Sequence, residues 1–235
     1  MNAGQPRLFE FRMGERSPET LIVSQANEAA VRLLKTWPTW PGGALALIGP
    51  KGSGKTHLAL AWALEAGARA VRADAPPEEA AALFHEAEGR VWVDDADGAR
   101  NEAGLWRLLD LARAKGGAAL IVGTRPPAQW GAEIPDLRSR LQALPVAQLG
   151  EPDEMMMEAV LRRVCREQFI ELSEDGARYL ARRMPRTFAA VHAVAAALDE
   201  NVRKAARPVS AAAAKRALQL AAERGAWSAE ESDVP

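Results

Sequence analysis

Residues 44–56 read Ala44-Leu45-Ala46-Leu47-Ile48-Gly49-Pro50-Lys51-Gly52-Ser53-Gly54-Lys55-Thr56. Five apolar residues lead directly into G-x-x-x-x-G-K-T with no deviation. A short continuous apolar run is the pattern of a strand buried on both faces. His57 to Ala66 follows, rich in Ala and Leu as a helix should be. Strand, glycine-rich loop and helix in this order let backbone N–H groups turn inward around phosphate oxygens. Lys55 would then reach the outer phosphates, Thr56 would offer its hydroxyl to Mg²⁺, and the helix would aim its positive end at the anion. Gly49, Pro50, Lys51, Gly52, Ser53, Gly54, Lys55, Thr56 and His57 are therefore the candidate nucleotide-binding residues. The competing reading is a chance glycine-rich turn before a helix; it requires strand, loop and helix to coincide by accident.

Working outward, Val91-Trp92-Val93 runs into Asp94-Asp95, about 40 residues after the loop. An apolar strand ending in two acids is the usual partner of a phosphate loop. Asp94 is the candidate Mg²⁺ ligand beside Thr56, and Asp95 the candidate that orients an attacking water. By itself the pair would read as an acidic turn. Asp97 is read as turn or cap chemistry. Ala118 to Val122 is a further buried strand ending at Gly123-Thr124, and a hydroxyl there would face the ligand edge of an open parallel sheet. Thr124 is thus a candidate catalytic residue, with a satisfied turn residue as the alternative. Arg69–Ala73 and Pro145–Leu149 read as shorter strands, and residues 77 onward and 101–115 as helices. The alternation predicts an α/β fold, a parallel sheet sandwiched by helices. Residues 151–224 carry helical signals only, which predicts a small all-α lid after an α/β domain over 17–150. Residues 1–16 read as a flexible arm and 225–235 as a disordered tail.

The composition is globular, at 48% apolar and 26% charged, with net charge −1. That balance calls for neither nucleic acid nor a membrane surface. No apolar stretch is long enough to span a bilayer, and no targeting peptide is evident. The lone Cys165 can form no internal disulfide, which fits a cytoplasmic protein, and it reads as a packing residue. Met155-Met156-Met157 and the tryptophans Trp37, Trp40, Trp62 and Trp92 read as packing; His85 and His192 have no metal-ligand spacing.

The order of these signals, with Pro135-Asp136-Leu137-Arg138-Ser139-Arg140-Leu141, resembles the AAA+ ATPases and in detail their DnaA-related branch. Gly54-Lys55-Thr56-His57-Leu58, Thr124-Arg125-Pro126-Pro127 and Arg138-Ser139-Arg140-Leu141 carry the likeness. Ile22-Val23-Ser24-Gln25-Ala26-Asn27 resembles the segment near the adenine, which adds Ile22 and Asn27 as expected nucleotide contacts. Only about ten residues follow the last lid helix, so the expectation is a DnaA-like module without the DNA-binding domain of DnaA. A module of that kind resembles the Hda-type regulators that inactivate DnaA, and Trp37-Pro38-Thr39-Trp40-Pro41 resembles their alphaproteobacterial form. Gln5, Leu8 and Phe9 in Gln5-Pro6-Arg7-Leu8-Phe9 then resemble a peptide that docks on the DNA polymerase III sliding clamp.

The resemblance implies ADP or ATP and Mg²⁺ as cofactors. It implies DnaA and the clamp as partners, indirect contact with DNA through the clamp, and no membrane, with direct DNA contact left open. Arg140 would act in trans on ATP held by DnaA, where such arginines accelerate hydrolysis by about 10³–10⁵. One departure stands out. Ala189 falls where the family's lid carries a sensor arginine, and Arg186, one turn earlier, is the candidate to replace it. That puts the chain's own ATP turnover in doubt. A DnaC/IstB-like helicase loader or transposition helper, and a nucleotide-gated adaptor without ATPase activity, stay open. So does homo-oligomerisation through the arginine-bearing face.

Overall fold

The computed structural model describes residues 21–99, 101–202, 209–225 and 227. The arm with Gln5, Leu8 and Phe9 lies outside the described residues. In chain order the elements are α1 (Glu28–Lys35), β1 (Ala44–Ile48), α2 (Lys55–Ala66), β2 (Arg69–Val71), α3 (Pro77–Glu86), β3 (Arg90–Val93) and α4 (Glu102–Lys115). Then come β4 (Ala118–Gly123), α5 (Pro135–Ala143), β5 (Val146–Gln148), α6 (Glu154–Glu167), α7 (Glu174–Ala181), α8 (Phe188–Val202) and α9 (Ala211–Glu223).

The five strands form one sheet in the order β2-β3-β4-β1-β5, all parallel. Both faces are covered, so the central strands β1 and β4 are apolar throughout, and every residue of both is buried. The period of two divides them between two cores. Leu45 and Leu47 of β1, Trp92 of β3, and Leu120 and Val122 of β4 pack with Ala30, Leu34, Leu58 and Trp62 of α1 and α2. Val91, Val93, Ala119 and Ile121 face the other way, onto Phe84 of α3, Leu105 and Leu108 of α4 and Leu137 of α5. Trp40 and Trp62 stack with centroids 5.2 Å apart. Trp40, Trp62 and Trp92 are core as expected, while Trp37 packs at its margin.

Helices α6 to α9 build a third core around Met157, Leu161, Val164, Leu180, Val194 and Leu198. Asp153 and Ser173 cap α6 and α7, each accepting a hydrogen bond from the backbone three residues on. Met156 and Met157 are buried, but Met155 points outward. Cys165 is fully buried, and burial pushes its thiol up to about 12, so it is an inert packing group. Trp227 packs against the lid core. Helix α1 is absent from the expectations above; its Ala30, Val31 and Leu34 face β5 and α2. Among the described residues no helix is long and apolar enough to cross a membrane.

Candidate functional site

Register brings the separate sequence signals to one edge. Ile48 pairs with Gly123, and Val93 with Ile121, so β1, β3 and β4 end side by side. The loop after β1, the carboxylates after β3 and Thr124 after β4 therefore share the C-terminal edge of the sheet.

The loop is shaped by backbone that only glycine adopts readily. Gly52 and Gly54 have φ of +77° and +91°. Both are also crowded by the lid. A Cβ on Gly52 would lie 2.9 Å from Thr187 Cβ, and one on Gly54 2.5 Å from the Phe188 ring. The start of α8 thus rests directly on the phosphate loop. Lys55 is buried, and its Nζ donates to Gly49 O at 2.9 Å and Pro50 O at 2.8 Å. Burial pulls its pKa below the ordinary lysine value, against the opposing attraction of Asp94, Asp95 and Asp97. The Ser53 hydroxyl is buried with no hydrogen-bond partner among the described residues. An unsatisfied buried donor of this kind calls for a partner from outside the chain.

Thr56 Oγ1 donates to Asp94 Oδ2 at 2.8 Å, and Asp94 Oδ1 accepts from the Asp95 N–H at 3.0 Å. Asp95 itself is exposed, with φ of +49°, a left-handed conformation that Asp tolerates better than most residues. Thr124 donates from both its N–H and its hydroxyl to Asp97 Oδ2. Desolvation opposes the Asp97 charge, but the bonds from Thr124 and the Arg125 N–H win, so its carboxyl titrates below the ordinary value. Asp97 thereby fixes the hydroxyl of Thr124. Reading it as turn chemistry missed that role, because nothing in local sequence links residues 27 positions apart.

A cavity of about 300 Å³ lies between the loop and the lid. Its floor is Gly52 to Leu58, which includes the loop residues Ser53, Lys55, Thr56 and His57. Ile22 and Asn27, named above as nucleotide contacts, are among its lining. The Asn27 amide, however, is spent locally: Oδ1 accepts from Ser24 N–H and Nδ2 donates to Ile22 O, so it shapes the wall. Met156, Val160, Arg163, Glu167 and His192 of the lid complete the lining. The last three were not expected there; helical phase on α6 and α8 would have put them on one side, but not said which side faced the loop. Gly49, Pro50, Lys51, Asp94, Asp95 and Thr124 lie outside the lining; Asp94 is joined to it through Thr56, and Gly49 and Pro50 through Lys55. Arg186 is exposed and also outside it, and Ala189 is exposed.

Arg140 of α5 lies away from this cavity. Its Nε donates to Asp136 at 3.0 Å and its Nη2 to Asp110 of α4 at 3.2 Å, leaving the side chain 18% exposed. The Trp106 indole N–H, and after it Arg140, hold the Asp136 carboxyl below the usual range. Glu102 accepts from the N–H groups of Glu133 and Ile134. Glu102, Trp106 and Asp110 recur every four residues, so one face of α4 fixes the entry and both halves of α5. Arg138 donates twice to Ala132 O and is held within its own loop.

No protein-family model and no curated protein matches the sequence. Solved structures do. Domain III of the Thermotoga maritima replication initiation protein DnaA superposes with a TM-score of 0.67 at 19% identity, over 87% of this chain and 96% of that one. AMPPCP-bound DnaA from Aquifex aeolicus gives 0.63 at 16% identity, over 89% of this chain and 70% of that one. The Thermotoga maritima RuvB Holliday junction branch migration motor gives 0.69 at 16% identity, over 88% and 72%. At such identity the likeness speaks for architecture: the chain has the parallel-sheet AAA+ fold of DnaA domain III and RuvB.

Proposed function

We propose that this chain is a nucleotide-binding AAA+ module that is tethered to the sliding clamp and promotes hydrolysis of ATP held by a DnaA-type initiator. One observation carries the nucleotide part. A buried lysine, an unsatisfied buried hydroxyl on Ser53 and the Thr56–Asp94 pair converge beneath a lid that touches Gly52 and Gly54. That constellation fits a polyphosphate, and the likeness to AMPPCP-bound DnaA supports ADP or ATP as the ligand. The hydroxyl of Thr56 and the carboxylate of Asp94 are hard oxygen donors suited to Mg²⁺, which would neutralise phosphate charge there. Among the described residues no cluster of three or more His, Cys, Asp or Glu could hold a metal.

The trans-acting part rests on Arg140 and on the clamp-like arm with Gln5, Leu8 and Phe9. Asp110 and Asp136 pre-form the arginine on α5, and both are partly exposed, at 31% and 56%. Ion pairs with exposed carboxylates contribute little, so exchanging a carboxylate for a neighbour's phosphate is an easy step. Tethering through the arm raises effective concentration, so weak contact between modules suffices.

The test measures hydrolysis of initiator-bound ATP in the presence of clamp-loaded DNA. Wild type is expected to accelerate it. Arg140→Ala and Leu8→Ala/Phe9→Ala are each expected to remove the acceleration. A wild type without effect overturns the trans-acting reading and brings the helicase-loader class forward. Nucleotide binding is tested separately by titrating fluorescent ADP against wild type and Lys55→Ala. One geometric feature favours an adaptor that uses nucleotide to fix its shape: neither Arg186 nor Ala189 presents a cation to the cavity. Turnover by the isolated protein decides that point.

A further inference from the structure

Phe169 is 96% exposed, the most exposed of the large apolar side chains described. Its backbone is as unusual as its exposure, with φ of +58°. A bulky residue in that region is an outlier, tolerated where something else requires it. The local hydrogen bonds explain the geometry. Ile170 N–H donates to Cys165 O and Phe169 N–H to Arg166 O, the two bonds of a Schellman motif closing α6. Phe169 therefore stands in the position after the cap that glycine ordinarily fills. A phenyl ring there buries almost none of its own surface against the described residues.

The ring stands at the rim of a cleft of about 380 Å³ lined by Arg162, Arg166, Ile170, Glu171 and Leu172. The floor is apolar: Ile170 is buried, and Leu172 packs against the lid core. Arg162 is engaged with Glu158 at 2.8 Å. Arg166 and Glu171 are exposed, and among the described residues neither has an ion pair. The patch thus carries a projecting aromatic, a hollow with an apolar floor, one available cation and one available anion. A surface holding both halves of each contact is complementary to itself under a twofold axis.

We propose that this end of the lid is a homodimer interface, with Phe169 of each copy seated in the cleft of the other and Arg166 facing Glu171 across the axis. Mixed charge argues for a second copy over a nucleic-acid backbone, which would meet Glu171 as repulsion. The interface is separate from the nucleotide cavity and from Arg140, so it stands whatever the outcome for the proposed function.

Sedimentation equilibrium of the full chain tests it. Wild type is expected to rise from the monomer mass toward twice that value with concentration. Phe169→Gly suits the backbone geometry and is expected to keep or raise the thermal midpoint while remaining monomeric. Arg166→Glu is expected to weaken association by about tenfold or more through like-charge contact, and Arg166→Glu/Glu171→Arg to restore it. A wild type that stays monomeric at high concentration overturns the proposal. So does a Phe169→Gly variant that dimerises as wild type does, or a double exchange that fails to restore what the single one lost.

Discussion

Gly54 shows how much one missing methyl group decides. Its φ of +91° and the Phe188 ring, 2.5 Å from where a Cβ would stand, leave room for hydrogen alone. Gly54→Ala is expected to cost about 1–3 kcal/mol from left-handed strain and overpacking, read as a lower midpoint in urea with an unchanged slope. Asp97 is a second residue whose effect exceeds its sequence signal. Its folded pKa lies below the ordinary 3.8, so the contribution to stability is complete above that value and is lost as pH falls through the lowered folded one. Wild type is therefore expected to exceed Asp97→Asn in thermal midpoint at neutral pH. The gap should narrow only below about pH 4, where the carboxylate takes up its proton. A gap independent of pH would mean that shape, not charge, holds Thr124.

Among elements, α4 does the most to place function. Glu102, Trp106 and Asp110 each hold a different part of the 133–140 segment. Without them α5 would be a short helix with only Leu137 and Leu141 buried. Glu102→Gln keeps one acceptor oxygen but loses the carboxylate that accepts from both Glu133 and Ile134. Hydrogen exchange is expected to speed at the amides of residues 133–138 and to stay unchanged across β4. Faster exchange throughout would show that α4 itself had loosened. Helix α6 presents different residues along its length: it turns Arg163 and Glu167 to the cavity, while its C-terminal motif presents Phe169 to solvent.

At the scale of the molecule, two sheet-facing cores and one lid core are joined across the phosphate loop, where Thr187 and Phe188 approach Gly52 and Gly54. A ligand lodged there touches both parts and so stabilises both against unfolding. At a concentration 100-fold above Kd, ADP is expected to add about 2.7 kcal/mol, seen as a rise in thermal midpoint. Lys55→Ala is expected to lose most of that rise. A shift of equal size in the variant would place the nucleotide elsewhere.

The sequence by itself determined the strands and the loop. Continuous apolar runs at 44–48, 91–93 and 118–123 can be satisfied only between two covered faces, and G-x-x-x-x-G-K-T in that setting is the pattern of a loop that turns its backbone inward. Local chemistry carried that much because period, propensity and glycine geometry act over a few residues. Sequence was silent about α1, whose apolar positions read as helix only once β5 and α2 lie beside them. It was equally silent about the Asp97–Thr124 bond, the α4 ladder to Arg140, and the approach of Arg163, Glu167 and His192 to the cavity. These joins span tens of residues or depend on which side of a helix meets the loop, and only the packing of the layers sets that. Phe169 belongs to both sides of the division: its residue type is written in the chain, but its left-handed backbone and its exposure exist only once α6 has been closed.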